Sequence, residues 1–78
     1  MTYKYYHTND CGEKKPIGES QNYEEAIDEA LSYIENETDY DEDDDGDTPS
    51  DVESALRTRG YYIIGYGPEC VEIVEEEN

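Results

Sequence analysis

Residues 60–74, Gly-Tyr-Tyr-Ile-Ile-Gly-Tyr-Gly-Pro-Glu-Cys-Val-Glu-Ile-Val, decide how this chain folds. Tyr61 to Tyr66 and Cys70 to Val74 are strand-like runs, and Gly67-Pro68-Glu69 between them is turn chemistry, so the pair predicts a hairpin. Just upstream the apolar period is helical. Val52, Ala55 and Leu56 give a short helix its buried side, after a start at which Thr48 caps, Pro49 takes the first helical position and Asp51 favours the helix dipole. Gly60 stops that helix.

Working outward, a longer helix is signalled by Asn22 as N-cap and Glu25 at the third helical position. Ile27, Ala30, Leu31 and Ile34, preceded by Tyr23, form its apolar stripe, and Glu24, Glu25, Asp28, Glu29 and Glu35 occupy the opposite face. Thr2 to Thr8 alternates as a strand, with Tyr3 and Tyr5 on one face and Lys4 and Tyr6 on the other. Asn9 to Gly12 reads as a turn, and Lys14 to Gly18 returns as a short strand that Pro16 marks as an edge. The order β-β-α-α-β-β predicts an α+β fold, a small antiparallel sheet of three to four strands with two helices on one face and an acidic loop between the helices. Residues 1–78 make a single small domain, in which 36–47 reads as a mobile acidic loop and 75–78 as a frayed acidic tail.

Charge bounds the function. The chain has 23 acids against 5 bases and a formal charge of -18, and eleven of the nineteen residues from Glu35 to Glu53 are Asp or Glu with no Lys or Arg. Such a segment repels DNA, RNA and anionic lipid and attracts cations or the basic surface of another protein. Adaptation to a salty solvent would also tolerate this charge, but Lys4, Lys14 and Lys15 and the free use of Asn, Ile and Tyr do not fit the bias expected there. No run approaches the roughly 18 apolar residues of a membrane span, and Met1 to Tyr6 lacks the apolar core of a signal peptide, which predicts a cytoplasmic protein. Cys11 and Cys70 are then expected as reduced thiols, since pairing would require two hairpin tips to meet.

Few motifs carry chemistry. Asp41, Asp43, Asp45, Gly46 and Asp47 resemble the front half of an EF-hand calcium loop, which implies Asp41, Asp43, Asp45 and Asp47 as metal ligands and Ca2+ as cofactor under that alternative. The match ends at Val52, which replaces the closing bidentate Glu, with Glu53 one residue late. His7 is the lone histidine and sits far in sequence from both thiols, so no nucleophile pair is signalled. Neither a phosphate-binding glycine loop nor zinc-ligand spacing is present, and the chain reads as no enzyme, with no cofactor.

The acids themselves give the leading expectation. Carboxylates at i, i+3 and i+4 on a helix lie roughly 5 to 6 Å apart, comparable with phosphates along a nucleic-acid strand. Glu24, Glu25, Asp28, Glu29 and Glu35 would form an ordered row, and Asp39, Asp41, Glu42, Asp43, Asp44, Asp45 and Asp47 an adaptable one, with Tyr33 and Tyr40 as aromatic anchors. In size, charge and lack of catalytic groups the chain resembles the small acidic DNA-mimic inhibitors of bacteriophages, among them anti-CRISPR and anti-restriction proteins and inhibitors of uracil-DNA glycosylase. Those inhibitors have unrelated folds, and no residue role carries over. The resemblance implies stoichiometric blockage, in the cytoplasm of an infected bacterial host, of a basic nucleic-acid-binding protein, with no direct nucleic-acid or membrane binding. An acidic adaptor docking a basic partner through Tyr61, Tyr62 or Tyr66 is a further alternative, and an edge strand with spare tyrosines leaves monomer and dimer both open.

Overall fold

The computed structural model describes residues 1–38, 40–65 and 67–77, without the side chains of Asp44 and Asp45. The described residues form β1 (Thr2–Thr8), β2 (Lys14–Ser20), α1 (Tyr23–Glu37), α2 (Glu42–Asp45), α3 (Pro49–Arg59), β3 (Tyr61–Ile63) and β4 (Cys70–Glu76). The four strands pair antiparallel in the order β2-β1-β4-β3, so the two long outer strands of the sequence meet at the centre of the sheet. This is the expected α+β fold, with α1 and α3 on one sheet face.

Period dictates which side chains go inward. Tyr5, His7, Tyr62 and Val71 alternate toward the helices, where Ala26, Ile27, Ala30 and Ile34 of α1 and Val52, Ala55 and Leu56 of α3 meet them. The expected helix caps are present. Asn22 Oδ1 accepts from the Glu25 N–H at 3.2 Å, and Thr48 and Asp51 form a full capping box behind Pro49. The Asn9 side chain accepts from the N–H groups of Cys11 and Glu13, which closes the first hairpin turn. Pro16 lies in β2, an edge strand, as its missing N–H requires.

One irregularity shapes the core. Tyr5 pairs with Gly18 but Tyr6 with Pro16, so Ile17 is an extra residue in β2 and turns to pack against the core. The Tyr5 ring lies directly over Gly18, where an added Cβ would sit 2.5 Å from a ring carbon. Only glycine leaves room for that ring.

The structure departs from expectation at two places. Within residues 36–47 the chain makes one helical turn, α2, because the Asp41 carboxylate accepts from the Asp43 N–H at 2.9 Å and Gly46, at φ 77°, closes the other end onto Glu42. At the C-terminus Glu75 and Glu76 belong to β4 rather than to a frayed tail, paired opposite Tyr3 and Thr2. The expected positions Asp39 and Tyr66, the side chains of Asp44 and Asp45, and the last tail residue, Asn78, lie outside the described residues.

Candidate functional site: the acidic helical layer

Helix α1 carries the candidate surface because its apolar stripe fixes its rotation. With Ala26, Ile27, Ala30 and Ile34 buried, Glu24, Glu25, Asp28, Glu29 and Glu35 point away from the sheet and are exposed. Asp41, Glu42 and Asp43 of the connecting turn and Asp51 at the start of α3 are exposed as well. Like charges at i, i+4, such as Glu24 with Asp28 and Glu25 with Glu29, cost roughly 0.2 to 0.5 kcal/mol each, so this row is held against its own repulsion by the core beneath it.

The bases do little to relieve it. Arg57 on α3 reaches across to Glu24 at 2.6 Å and back one turn to Glu53 at 3.1 Å. The hydrogen bonds it donates to Glu24 and then to Glu53 hold its guanidinium well above the ordinary arginine value. Lys4 and Lys14 are engaged on the other side of the sheet, with Glu76 at 2.9 Å and Glu72 at 2.7 Å. Those carboxylates raise both lysine pKa values, principally through the hydrogen bond each accepts. Among the described residues Glu25, Asp28, Glu29 and Glu35 therefore make no ion pair, whereas Glu24 of the expected row is already engaged.

The remaining expected residues serve the fold. Tyr40 donates its hydroxyl to the Asp47 carbonyl and sets its ring edge-on to Tyr62, whose hydroxyl donates to the Asp47 carboxylate at 3.0 Å. Tyr33 donates toward His7 Nδ1 at 3.1 Å. Both expected aromatic anchors are thus half-buried struts, because a tyrosine hydroxyl at the core margin finds its partner inside the chain. Asp47 is likewise turned inward, which removes it from the adaptable acidic row.

Two of the acids expected as calcium ligands already have partners within the chain. Asp41 is spent on a helix cap and Asp47 on Tyr62, Asp43 lies within a helical turn, and the Asp45 side chain is outside the described residues. Among the described residues no three acidic, histidine or cysteine side chains gather as a cation site. Cys11 and Cys70 are free thiols.

One buried constellation went unread in the sequence. His7 Nε2 lies 2.8 Å from Glu69 Oε2, and Nδ1 faces the Tyr33 hydroxyl, with His7 and Glu69 each 8 % exposed. Both ring nitrogens thus have a partner, Nε2–H donating to the carboxylate and Nδ1 paired with the phenol. Burial first, then Glu37 and Glu69, raises the Tyr33 pKa. That holds the phenol protonated, the reverse of an activated nucleophile, so the trio ties β1, α1 and the β3–β4 connection together.

A pocket of about 370 Å³ opens between the helices and the far end of the sheet, walled by Tyr3, Tyr23, Leu56, Arg57, Ile73 and Glu75. Its cation, Arg57, is already engaged by two carboxylates, which leaves the pocket poorly suited to an anion.

Taken together, the fold and the surface define a class: a small α+β domain whose helical layer displays uncompensated carboxylates over an apolar core. No protein-family model, curated protein or solved structure matches the chain. No helix of the described residues is long and apolar enough to cross a membrane.

Proposed function

We propose that the chain is a non-enzymatic inhibitor whose acidic helical layer stands in for a nucleic-acid phosphate backbone and occupies the basic DNA- or RNA-binding site of a host defence or DNA-processing protein. The observation that supports this most is the unpaired row on α1. Glu25, Asp28, Glu29 and Glu35 are exposed on one rigid helix without an ion-pair partner, although the chain has bases it spends elsewhere. Arg and Lys side chains lining a nucleic-acid channel would meet these carboxylates through charge-assisted hydrogen bonds. The short turn α2 adds Asp41, Glu42 and Asp43 beside the row. With Tyr33 and Tyr40 drawn into the fold, recognition rests on charge rather than on aromatic anchors, which makes association fast and sensitive to salt.

The test is a pull-down from bacterial lysate with the tagged chain at low and high salt, repeated with competing duplex DNA and with two variants. One neutralises α1 (Glu25→Gln, Asp28→Asn, Glu29→Gln, Glu35→Gln) and the other neutralises the turn (Asp43→Asn, Asp44→Asn, Asp45→Asn). The reading expects a nucleic-acid-binding protein that salt and DNA both release and that the α1 variant retains at least about tenfold more weakly. Equal retention by the native chain and both variants would remove the helical layer as the mimic surface. Retention that requires calcium would revive the metal loop instead.

A further inference from the structure

The sheet has a second face that no helix covers. By the strand register it carries Lys14, Pro16 and Glu19 of β2, Lys4 and Tyr6 of β1, Cys70, Glu72 and Val74 of β4, and Tyr61 and Ile63 of β3. Tyr61 and Ile63 are 38 % and 50 % exposed, which with Met1 makes them the exposed large apolar residues among those described. Tyr6, Glu72 and Tyr61 lie in one cross-strand row, with the Lys14 ammonium 4.7 Å from the centre of the Tyr6 ring and the Arg59 guanidinium 5.5 Å from that of Tyr61.

Charge here behaves differently from the rest of the molecule. Lys4 is paired with Glu76 and Lys14 with Glu72, and Glu19 at the β2 edge is offset in number by Arg59 of α3, which reaches the Tyr61 ring at the β3 edge, so the face carries little net charge in a chain of net charge -18. A partner drawn by charge, whether basic or acidic, finds nothing to draw it there. A second copy needs only a face like its own, with Tyr61 and Ile63 exposed among paired charges, and this is the side on which two such acidic chains meet the least of each other's field.

We infer that the uncovered sheet face is the self-association surface of the chain, two copies stacking sheet to sheet about a twofold axis with their acidic helical layers pointing outward. Stacked sheets sit about 10 Å apart, and each helical layer adds roughly another 10 Å, so the two acidic layers lie about 30 Å from each other. The Debye length is about 8 Å at physiological ionic strength, so the layers scarcely repel. In a side-by-side or helix-to-helix arrangement they would. At strand spacings of about 4.8 Å and about 3.3 Å per residue, the face covers roughly 400 Å² in plan, about 800 Å² for two copies, which is below the roughly 1,200 Å² of stable specific interfaces and in the range of weak, transient ones. The dimer is therefore weak, forms at high protein concentration and tightens as salt screens the residual repulsion. Lys4 with Glu76 and Lys14 with Glu72 can exchange partners across the twofold axis without leaving a charge unpaired.

Sedimentation equilibrium of the full chain from about 10 μM to about 1 mM, at low and high salt, tests this. The native chain should dimerise reversibly, more tightly in high salt. Ile63→Asp at the sheet edge and Val74→Asp in the central strand β4 should each raise the dissociation constant by about tenfold or more, the effect being counted twice in a symmetric pair. Far-UV circular dichroism confirms that each variant is folded, and Tyr6→Ser, on the same face of the central strand β1, takes the place of Val74→Asp should that variant unfold. A monomer at every concentration and salt overturns the inference. So does a dimer that Ile63→Asp weakens and a folded Val74→Asp leaves untouched, since that pattern is edge-to-edge pairing through β3. A dimer insensitive to all the variants places the contact elsewhere and overturns it too.

Discussion

The two outer faces of this molecule treat charge in opposite ways. On the helical layer, Glu25, Asp28, Glu29 and Glu35 stand exposed without ion-pair partners, while on the uncovered sheet face Lys4 and Lys14 are each clamped by a glutamate. The same chain that leaves one face repelling itself neutralises the other residue by residue. The difference teaches that the net charge is not spread as a solvation coat. It is partitioned, which general solubility or salt adaptation does not require. A third environment lies between the faces, where Glu69 is the buried acid among the described residues and has His7 as its partner.

The comparison predicts that acids are dispensable to the fold on the helical layer and indispensable between the layers. The largest effect should come from Glu69→Ala. It strips His7 of its acceptor, leaves a buried imidazole N–H unpaired and frees the β3–β4 connection from β1 and α1, at a cost of about 2 to 3 kcal/mol in urea unfolding. A loss below about 0.5 kcal/mol would mean that the trio is incidental and that the partition has only two terms.

How much of this was legible follows from which residues act locally. The α+β order, the caps at Asn22 and Thr48, the stop at Gly60 and the edge strand at Pro16 could be read because each depends on neighbours within about four positions. The acidic row on α1 was legible for the same reason, since the apolar stripe sets the rotation of the helix. Glu69 was not, because its partner is 62 residues away and nothing beside Pro68 distinguishes it from the other acids. The roles of Tyr33 and Tyr40 were misread because a tyrosine next to acids looks like an exposed anchor until the fold supplies an internal acceptor. The turn α2 was hidden by its composition. An Asp run reads as disorder, yet Asp41 and Gly46 are a proper cap at either end. The neutral sheet face needed the strand register, which sets Lys4 opposite Val74 and Lys14 near Glu72.

The next effect in size concerns the core margin. The Tyr5 hydroxyl is buried without a hydrogen-bond partner among the described residues, while its ring fills the space over Gly18. Removing the oxygen alone keeps the ring and releases a desolvated polar group, so Tyr5→Phe should stabilise the chain by about 1 kcal/mol. A destabilised variant in thermal unfolding would show that the hydroxyl has a partner in solution.

The smallest effect tests the comparison most directly. Glu29→Gln removes the like-charge i, i+4 contact with Glu25 from the exposed face of α1, touches no ion pair and leaves the first-turn carboxylates at the helix N-terminus in place, so at low salt it should raise stability by roughly 0.2 to 0.5 kcal/mol. Because that gain is relief of repulsion, it should fade as the Debye length shrinks to about 3 Å at 1 M salt. Breaking the sheet pair with Lys14→Met should go the other way, a small loss at low salt that also fades as salt rises. Opposite signs converging on zero at high salt, read from thermal melts of the two variants across a salt series, would establish that one face is held against its charge and the other with it. A gain for the glutamine variant that survives 1 M salt would instead be helix propensity, and the charge on α1 would then cost the fold nothing.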